Sequence, residues 1–286
     1  MVWRRYRTGT ISLLEQADID QATVDASMRI VSLADGSSIR LMEVGSGECI
    51  VLVNTAPELN FVFAPQIEEF SQDYRVILYE PRMLRDRSYT PDDRKKELAL
   101  VAQALSLSSF HVIAWSDAGS GAYLFAKEMP QYVRSVTFLA LADRYKLPFG
   151  LQLLARLFYS YPIEGVVPAF VSSILLGVFL GGKQAKRSWI AKRALRIPEI
   201  TELLKFSLMP CMFEHRPSFG EVLCQALIVS GDKDPLVSAD QARQMAQLLP
   251  NVVDVVIVPN GEHLLPYVNQ AAVNQAVRDF LTGLSK

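Results

Sequence analysis

The sequence is poor in the residues that build disulfide frameworks and metal sites. Its 286 residues include three cysteines and three histidines. Cys49, Cys211 and Cys224 are an odd set, and no two of them have the spacing of metal ligands. The cysteine content therefore predicts free thiols, which persist in a reducing compartment such as the cytoplasm.

Net charge is also almost absent. Lysine and arginine total 29 and aspartate and glutamate total 30, which leaves a formal charge of -1 at pH 7. Proteins that bind nucleic acid through its phosphates normally carry a basic excess, so no nucleic acid partner is expected. The apolar run from Ile11 to Leu14 is too short for the core of a signal peptide, which again favours a cytoplasmic protein.

Long hydrophobic runs are missing, with one partial exception. Residues 165–182 carry no charge and approach the lower length limit of a membrane span, but Pro168 and several small polar residues interrupt them. We expect an apolar lid whose Phe170 and Phe179 line a pocket. The basic run from Lys183 to Arg196 is expected to be a solvated helix face, with contact to a membrane surface or an acidic partner as the alternative.

Short apolar runs alternate with helical patterns over most of the chain. The predicted strands cover residues 28–33, 38–44, 49–53, 74–79, 110–114, 134–141, 226–229 and 252–258. The predicted helices cover residues 61–70, 91–105, a segment after 116, a segment from 238, and 266–284. This alternation predicts an α/β fold, with a mostly parallel eight-stranded sheet that carries helices on both faces.

The same pattern predicts how the chain is divided. Residues 28–142 and 221–286 are expected to form the α/β core, because strands and helices alternate in both. Residues 143–220 interrupt the alternation and are expected to form a helical cap above the sheet. Residues 1–27 show no clear period and are treated as an N-terminal extension.

A candidate nucleophile follows the fifth predicted strand. The strand ends at Ala114 and continues into Trp115-Ser116-Asp117, with Ala118 next. A sharp strand-to-helix turn that presents a nucleophile in strained backbone tolerates only small residues two positions away on either side. Ser116 meets this condition, whereas an Asp117 nucleophile would place the large Trp115 at one of these positions.

A serine nucleophile needs a base, and the base needs an acid to orient it. Asp234 follows the seventh predicted strand and His263 follows the last one, where open α/β sheets place their sites. Asp232 is an alternative acid, although a role in the turn is favoured. His111 begins its strand and His215 lies in the insertion, so both are expected to be structural.

The three segments together resemble the α/β-hydrolase fold. The order small-x-Ser-x-small, Gly-x-x-Asp-Pro and Gly-x-His, each after its expected strand, covers residues 28–142 and 221–284. Trp115-Ser116-Asp117 is similar to the elbow of biphenyl-hydrolase-like and valacyclovir-hydrolase-like members. The resemblance implies Ser116 as nucleophile, with Asp234 as acid and His263 as base.

The resemblance also implies an oxyanion hole made of two backbone N–H groups, those of Asp117 and Thr55. Asn54 and Trp115 are expected beside the substrate. The chain departs from the family pattern where Asn54-Thr55 replaces the usual His-Gly. It departs again in the loop at residues 80–87, which has no glycine and three arginines. These arginines either pair with Glu80 and Asp86 or bind an anionic substrate group.

These observations predict a serine hydrolase that needs no cofactor and acts on an ester, thioester or lactone of a hydrophobic or acyl substrate. One alternative uses the same triad for carbon–carbon bond cleavage, cyclisation or acyl transfer, and it is motivated by the two altered loops. A second alternative is a non-catalytic, ligand-binding protein that retains the fold.

Overall fold

Each apolar run that the sequence assigns to a strand is a strand in the computed structural model. The structure describes residues 11–82, 89–141, 153, 172–175, 177, 187–197, 200 and 222–284. The strands are β1 Arg29–Ser32, β2 Ser38–Val44, β3 Cys49–Val53, β4 Arg75–Tyr79, β5 Phe110–Trp115, β6 Val133–Leu139, β7 Gln225–Gly231 and β8 Val252–Val258.

Within the described residues these eight strands form one sheet in the order β1-β2-β4-β3-β5-β6-β7-β8. β1 pairs with β2 and β2 with β4 in antiparallel fashion, and every later pair is parallel. The predicted mostly parallel sheet is confirmed. Because β5, β7 and β8 run in the same direction, their C-terminal ends lie at one edge of the sheet, and the loops that follow them meet there.

Helices cover both faces of the sheet. They are α1 Leu13–Ala26, α2 Ala64–Phe70, α3 Pro91–Ala104, α4 Ala118–Glu128, α5 Arg187–Ala194, α6 Ala239–Leu248, α7 Leu265–Val268 and α8 Gln270–Leu284, with 3-10 helices at Pro57–Phe63 and Pro130–Tyr132. Two apolar clusters result, one on each face. Ile50 and Leu52 of β3 belong to one cluster and Val51 and Val53 to the other, which explains why this strand is apolar throughout.

The helix α1 lies in the segment for which the sequence predicts no element. It opens at a capping box in which Ser12 and Glu15 exchange hydrogen bonds, a local signal that could have located it. Its buried face includes Gln16 and Asp20, so apolar periodicity does not reveal it. Tyr267 Oη donates to Asp20 Oδ2 at 2.8 Å, which joins α1 to α7.

Most of the predicted cap, residues 143–220, lies outside the described residues, and so do Phe170 and Phe179. The part that is described includes α5, which packs against α1. In the described part of the basic run, Lys192 and Arg196 are exposed, as expected for a solvated helix face, whereas Arg193 is buried. Arg193 donates to the carbonyl of Glu58 at 3.0 Å and covers the ring of Phe61. In the described part of the chain, no helix is long and apolar enough to span a membrane.

Candidate active site

Ser116 occupies the sharp turn between β5 and α4. Its φ of 56° lies in the left-handed region, which is strained for a residue with a side chain. Its N–H donates to the carbonyl of Leu139 at 2.8 Å, and this bond anchors the turn to β6. Ala114 and Ala118 are fully buried, in agreement with the requirement for small residues on either side.

The structure brings Ser116, His263 and Asp234 into one hydrogen-bonded chain. Ser116 Oγ lies 2.8 Å from His263 Nε2, and His263 Nδ1 lies 2.8 Å from Asp234 Oδ2. An ionised carboxylate only accepts, so Nδ1 carries the proton and Nε2 accepts from the serine hydroxyl. The exposed fraction is 8% for Ser116 and 1% for His263, which keeps the chain largely away from solvent.

Asp234, not Asp232, is the carboxylate that contacts the histidine. Its second oxygen, Oδ1, accepts from the N–H groups of Leu236 at 2.8 Å and Val237 at 3.0 Å. These bonds hold the carboxyl group in place while Oδ2 faces His263. Asp232 is exposed, and its N–H donates to the carbonyl of Val258 at 3.2 Å. The favoured turn role of Asp232 agrees with this position.

The loop after β3 is organised by Asn54. The N–H of Thr55 donates to Asn54 Oδ1 at 2.8 Å, while Asn54 Nδ2 donates to the carbonyl of Ala56 and to Asn60 Oδ1, both at 3.0 Å. Asn54 is fully buried with both ends of its amide engaged. A direct bond from this amide to a substrate would therefore require one of these bonds to break.

This arrangement bears on the expected oxyanion donors. Thr55 N–H already has an acceptor, so it is open to an oxyanion only when Asn54 Oδ1 releases or shares it. Within the part of the chain that the structure describes, no acceptor is found for the N–H of Ala56 or Asp117. The family resemblance assigns the donor of this loop to Thr55 rather than to the next residue, Ala56. Thr55 Oγ1 is also buried without a partner among the described residues.

The altered loop after β4 is part of a polar network. Asn60 Nδ2 donates to Glu80 at 3.2 Å, and Arg40 donates to both oxygens of Glu80. Burial raises the pKa of Glu80, an effect that Arg40 opposes. Arg82 does not pair with Glu80 as one expectation held; it binds Glu97 at 3.0 Å and Asp35 at 3.2 Å. Residues 85–87 lie outside the described residues.

The remaining histidines do not join this site. His111 lies at the start of β5, where its ring contacts Ser135 Oγ at 2.8 Å and Glu48 at 3.4 Å, in line with the structural role expected for it. His215 lies outside the described residues. In the described segments, no group of three or more His, Cys, Asp or Glu residues is arranged to hold a metal ion.

Comparison with known proteins indicates the same fold as the sheet topology described above. A family model described as the alpha/beta hydrolase fold matches residues 50–270. Epoxide hydrolase 3 of Xenopus tropicalis is 23% identical over 281 residues, covering 86% of this chain and 75% of that protein.

Solved structures share the fold. A thermophilic esterase from Thermogutta terrifontis superimposes with a TM-score of 0.73 at 19% identity, covering 91% of this chain and 99% of that one. The enol-lactonase from Burkholderia xenovorans LB400 gives 0.72 at 17% identity, covering 89% and 100%. At these identities the likeness concerns the fold, and the chemistry must be argued from the site.

Proposed function

The chain belongs to the family of the α/β hydrolase fold, and from this premise we propose that it is a serine hydrolase that cleaves an ester, thioester or lactone. One observation carries the proposal: Ser116 Oγ, the His263 ring and the Asp234 carboxylate are joined by two hydrogen bonds of 2.8 Å each. This is the arrangement by which a base activates a hydroxyl and an acid orients the base.

The proposed reaction begins when Ser116 Oγ attacks the substrate carbonyl and its proton passes to His263 Nε2. Asp234 holds Nδ1 and stabilises the imidazolium that forms. His263 then returns the proton to the leaving alcohol or thiol. Water then enters and gives a proton to His263 as it attacks the acyl group. The bond from the acyl carbon to Ser116 Oγ breaks, and His263 returns the proton to Oγ, which releases the acid and restores Ser116.

Two backbone donors are proposed for the oxyanion. One is Asp117 N–H, which follows the nucleophile. The other comes from the loop after β3, where Thr55 N–H must first leave Asn54 Oδ1 while Ala56 N–H has no such competitor among the described residues. Ala56 is therefore the better second donor, and Thr55 takes this role only if its bond to Asn54 opens.

The chemistry of the nucleophile supports an acyl substrate over an epoxide. Attack of a serine oxygen on an epoxide would give an ether, which water does not cleave readily, so turnover would stop. A carboxylate nucleophile would give a hydrolysable ester, but the nearest carboxylate along the chain, Asp117, is paired with Arg94 at 2.6 Å. The likeness to an epoxide hydrolase therefore does not carry that activity to this chain.

The structure weakens the main reason for considering the alternative reactions on the same triad. They were raised because the loops at Asn54 and Glu80 depart from the family pattern. Both residues are explained by one internal network, in which Asn54, Asn60 and Glu80 are linked by hydrogen bonds. At these two positions the departures thus support the loop itself and do not require a different reaction.

A hydrophobic or acyl substrate and a cytoplasmic location complete the proposal. The apolar composition of residues 165–182 supports the first. The free thiols of Cys49 and Cys224 support a cytoplasmic location, because oxidising compartments such as the extracellular space favour disulfides. Burial raises the pKa of both thiols to about 11, so neither is a reactive nucleophile at neutral pH. Cys211 lies outside the described residues.

Labelling with a fluorophosphonate probe tests the proposal. The probe should modify the wild-type protein at Ser116, as located by mass spectrometry of the labelled peptide. Ser116→Ala should not be labelled. Ser120→Ala removes a neighbouring buried serine, whose hydroxyl bonds the carbonyl of Asp117, and should still be labelled. A folded wild-type protein that takes no label would refute an activated Ser116.

Hydrolysis is then separated from acyl transfer by the oxygen of the product. An active ester substrate is turned over in water enriched in oxygen-18. Hydrolysis through a Ser116 acyl-enzyme puts one labelled oxygen into the acid product and none into the alcohol. Loss of substrate without a labelled acid would support acyl transfer or cyclisation instead.

A further inference from the structure

One buried charge beside the candidate site has no place in the triad. Arg94 of α3 is 3% exposed. Its Nη1 donates to the carbonyl of Asn54 at 3.1 Å, and its Nη2 donates to the carbonyl of Thr55 at 3.2 Å and to Asp117 Oδ2 at 2.6 Å. One guanidinium therefore contacts both segments from which the oxyanion donors are proposed.

The surrounding packing is built to admit this side chain. Gly121 of α4 faces Arg94, and a Cβ at Gly121 would collide with the Cβ of Arg94. The glycine thus lets α3 and α4 approach closely. The Tyr89 ring covers the guanidinium at 4.8 Å. Although burial disfavours the charge, the pKa of Arg94 is raised above its ordinary value by Asp117, so the group stays charged.

The acceptors are significant because of the peptide units to which they belong. The carbonyl of Asn54 shares a peptide unit with the N–H of Thr55, and the carbonyl of Thr55 shares one with the N–H of Ala56. In a planar trans peptide the carbonyl and N–H point in opposite directions. A guanidinium that binds these two carbonyls therefore fixes the directions of both N–H groups and polarises them as donors.

Arg94 also controls the distance between the two halves of the hole. The loop after β3 and the elbow after β5 are separate segments of chain, each able to shift alone. Nη2 contacts Thr55 in the first and Asp117 in the second, so one nitrogen spans them. Lysine cannot reproduce this, because its ammonium lacks the planar fork that reaches three acceptors in fixed directions.

We propose that Arg94 is the positioning residue of the oxyanion hole, holding the donor amides of the loop after β3 at a fixed place relative to Asp117 N–H. The inference rests on the proposed function, since it assigns a role in the same reaction. It predicts an effect on the transition state, where the oxyanion exists, and little effect on binding of the uncharged substrate.

The test compares Arg94→Met and Arg94→Lys with wild type on p-nitrophenyl butyrate, and measures inhibition by an alkyl trifluoromethyl ketone. Such a ketone forms a tetrahedral oxyanion on the serine. Loss of one oxyanion donor typically costs about 10²- to 10³-fold in kcat. For Arg94→Met we expect a fall in kcat of about 10²-fold, a KM within about threefold of wild type, and a Ki that rises in parallel with the loss of kcat/KM.

Arg94→Lys should recover only part of kcat, since it restores charge without the fork. Arg278→Met is the control, because Arg278, like Arg94, pairs with carboxylate, donates to a backbone carbonyl and covers an aromatic ring, that of Phe70, but lies away from the site. It should leave kcat and Ki unchanged. If Arg94→Met does not fold, Asp117→Asn provides a second test. This change keeps the backbone N–H of residue 117 and weakens the contact with Arg94, so kcat should fall and Ki should rise together.

Three results would overturn the inference: a wild-type kcat in Arg94→Met, a fall in kcat with an unchanged Ki, or full recovery by lysine. Where Arg94→Met does not fold, an unchanged kcat in both Asp117→Asn and Arg94→Lys would also overturn it. These results differ from a failure of the proposed function. In that case the wild-type protein itself would show neither label on Ser116 nor ester turnover, and the role of Arg94 would fall with it.

Discussion

The indole of Trp115 donates its N–H to the backbone carbonyl of His263 at 2.9 Å. The ring is fully buried, with its centroid 5.6 Å from that of the histidine. The residue before the candidate nucleophile thus fixes the backbone of the candidate base. The sequence predicts that Trp115 contacts the substrate. That role does not explain the hydrogen bond from its indole N–H to His263, which positions the backbone of the candidate base.

Trp115→Phe tests the importance of this bond. The change leaves the carbonyl of His263 buried without its donor, which should lower the free energy of unfolding by about 1–3 kcal/mol beyond the effect of the smaller ring. It should also lower kcat, because the base is less well held. Chemical denaturation and ester kinetics measure the two effects.

Trp189→Phe is the control for ring size, since the Trp189 indole N–H has no partner among the described residues. It removes the same atoms from a buried ring without breaking a hydrogen bond. Equal losses of stability in the two variants would show that the bond from Trp115 to His263 contributes nothing.

Asp234→Asn should remove most of the activity while preserving the fold. The amide can still accept from Leu236 and Val237 through its oxygen, but it no longer stabilises an imidazolium at His263. We expect kcat to fall by about 10³- to 10⁴-fold. Asp232→Asn, a change two residues away at an exposed position, should leave kcat near wild type. The reverse ranking of the two variants would make Asp232 the acid.

Two glycines set the contact between the acid loop and the base loop. A Cβ at Gly231 would collide with the backbone carbonyl of Gly261, which is bonded to the N–H of Lys233 at 2.9 Å. Backbone cannot move aside as a flexible side chain can. Gly231→Ala should therefore destabilise the protein by about 1–3 kcal/mol and reduce kcat by separating Asp234 from His263.

Gly283→Ala serves as the control because a Cβ at Gly283, within α8, meets nothing within 4 Å. Because Gly283 lies next to the end of the helix, the change should stabilise the protein by no more than about 0.5 kcal/mol. Thermal unfolding of the two variants measures the contrast. A Gly231→Ala protein as stable and active as wild type would mean that the two loops separate without cost.

The stability of the protein should fall as pH is lowered through the range in which His111 titrates in the unfolded chain. Burial lowers the pKa of His111 in the folded state, and Arg134 adds to the lowering; together they outweigh the opposing effect of Glu48. Around the ordinary histidine pKa of about 6.5, the unfolded chain therefore binds more protons. The contribution of His111 is complete above that pH and decreases below it.

His111→Asn isolates this contribution, since it keeps a polar group near Ser135 but cannot take up a proton. Urea unfolding at several pH values should show a smaller loss of stability on acidification in the variant than in wild type. Parallel pH profiles would show that His111 does not contribute and that other titrating groups account for the dependence.

The local pattern of the sequence was sufficient for the strands and for the candidate triad. Apolar runs locate strands such as β3 because a strand that is buried on both faces is apolar at every position, and this pattern is visible in the sequence alone. Ser116, Asp234 and His263 follow such strands, so the direction of the parallel sheet alone brings them to one edge. The single helix predicted for residues 266–284 is instead two, α7 and α8, separated at Asn269.

Only the tertiary structure determined which polar groups meet. Asp20 and Tyr267 are 247 residues apart along the chain, and Arg94 lies 40 residues from Asn54. On a helix read alone, a charged residue such as Arg94 is expected in solvent, because burial of an unpaired charge is costly. It is buried here because a glycine on the next helix makes room and three acceptors from distant segments surround it, an arrangement that no local pattern encodes.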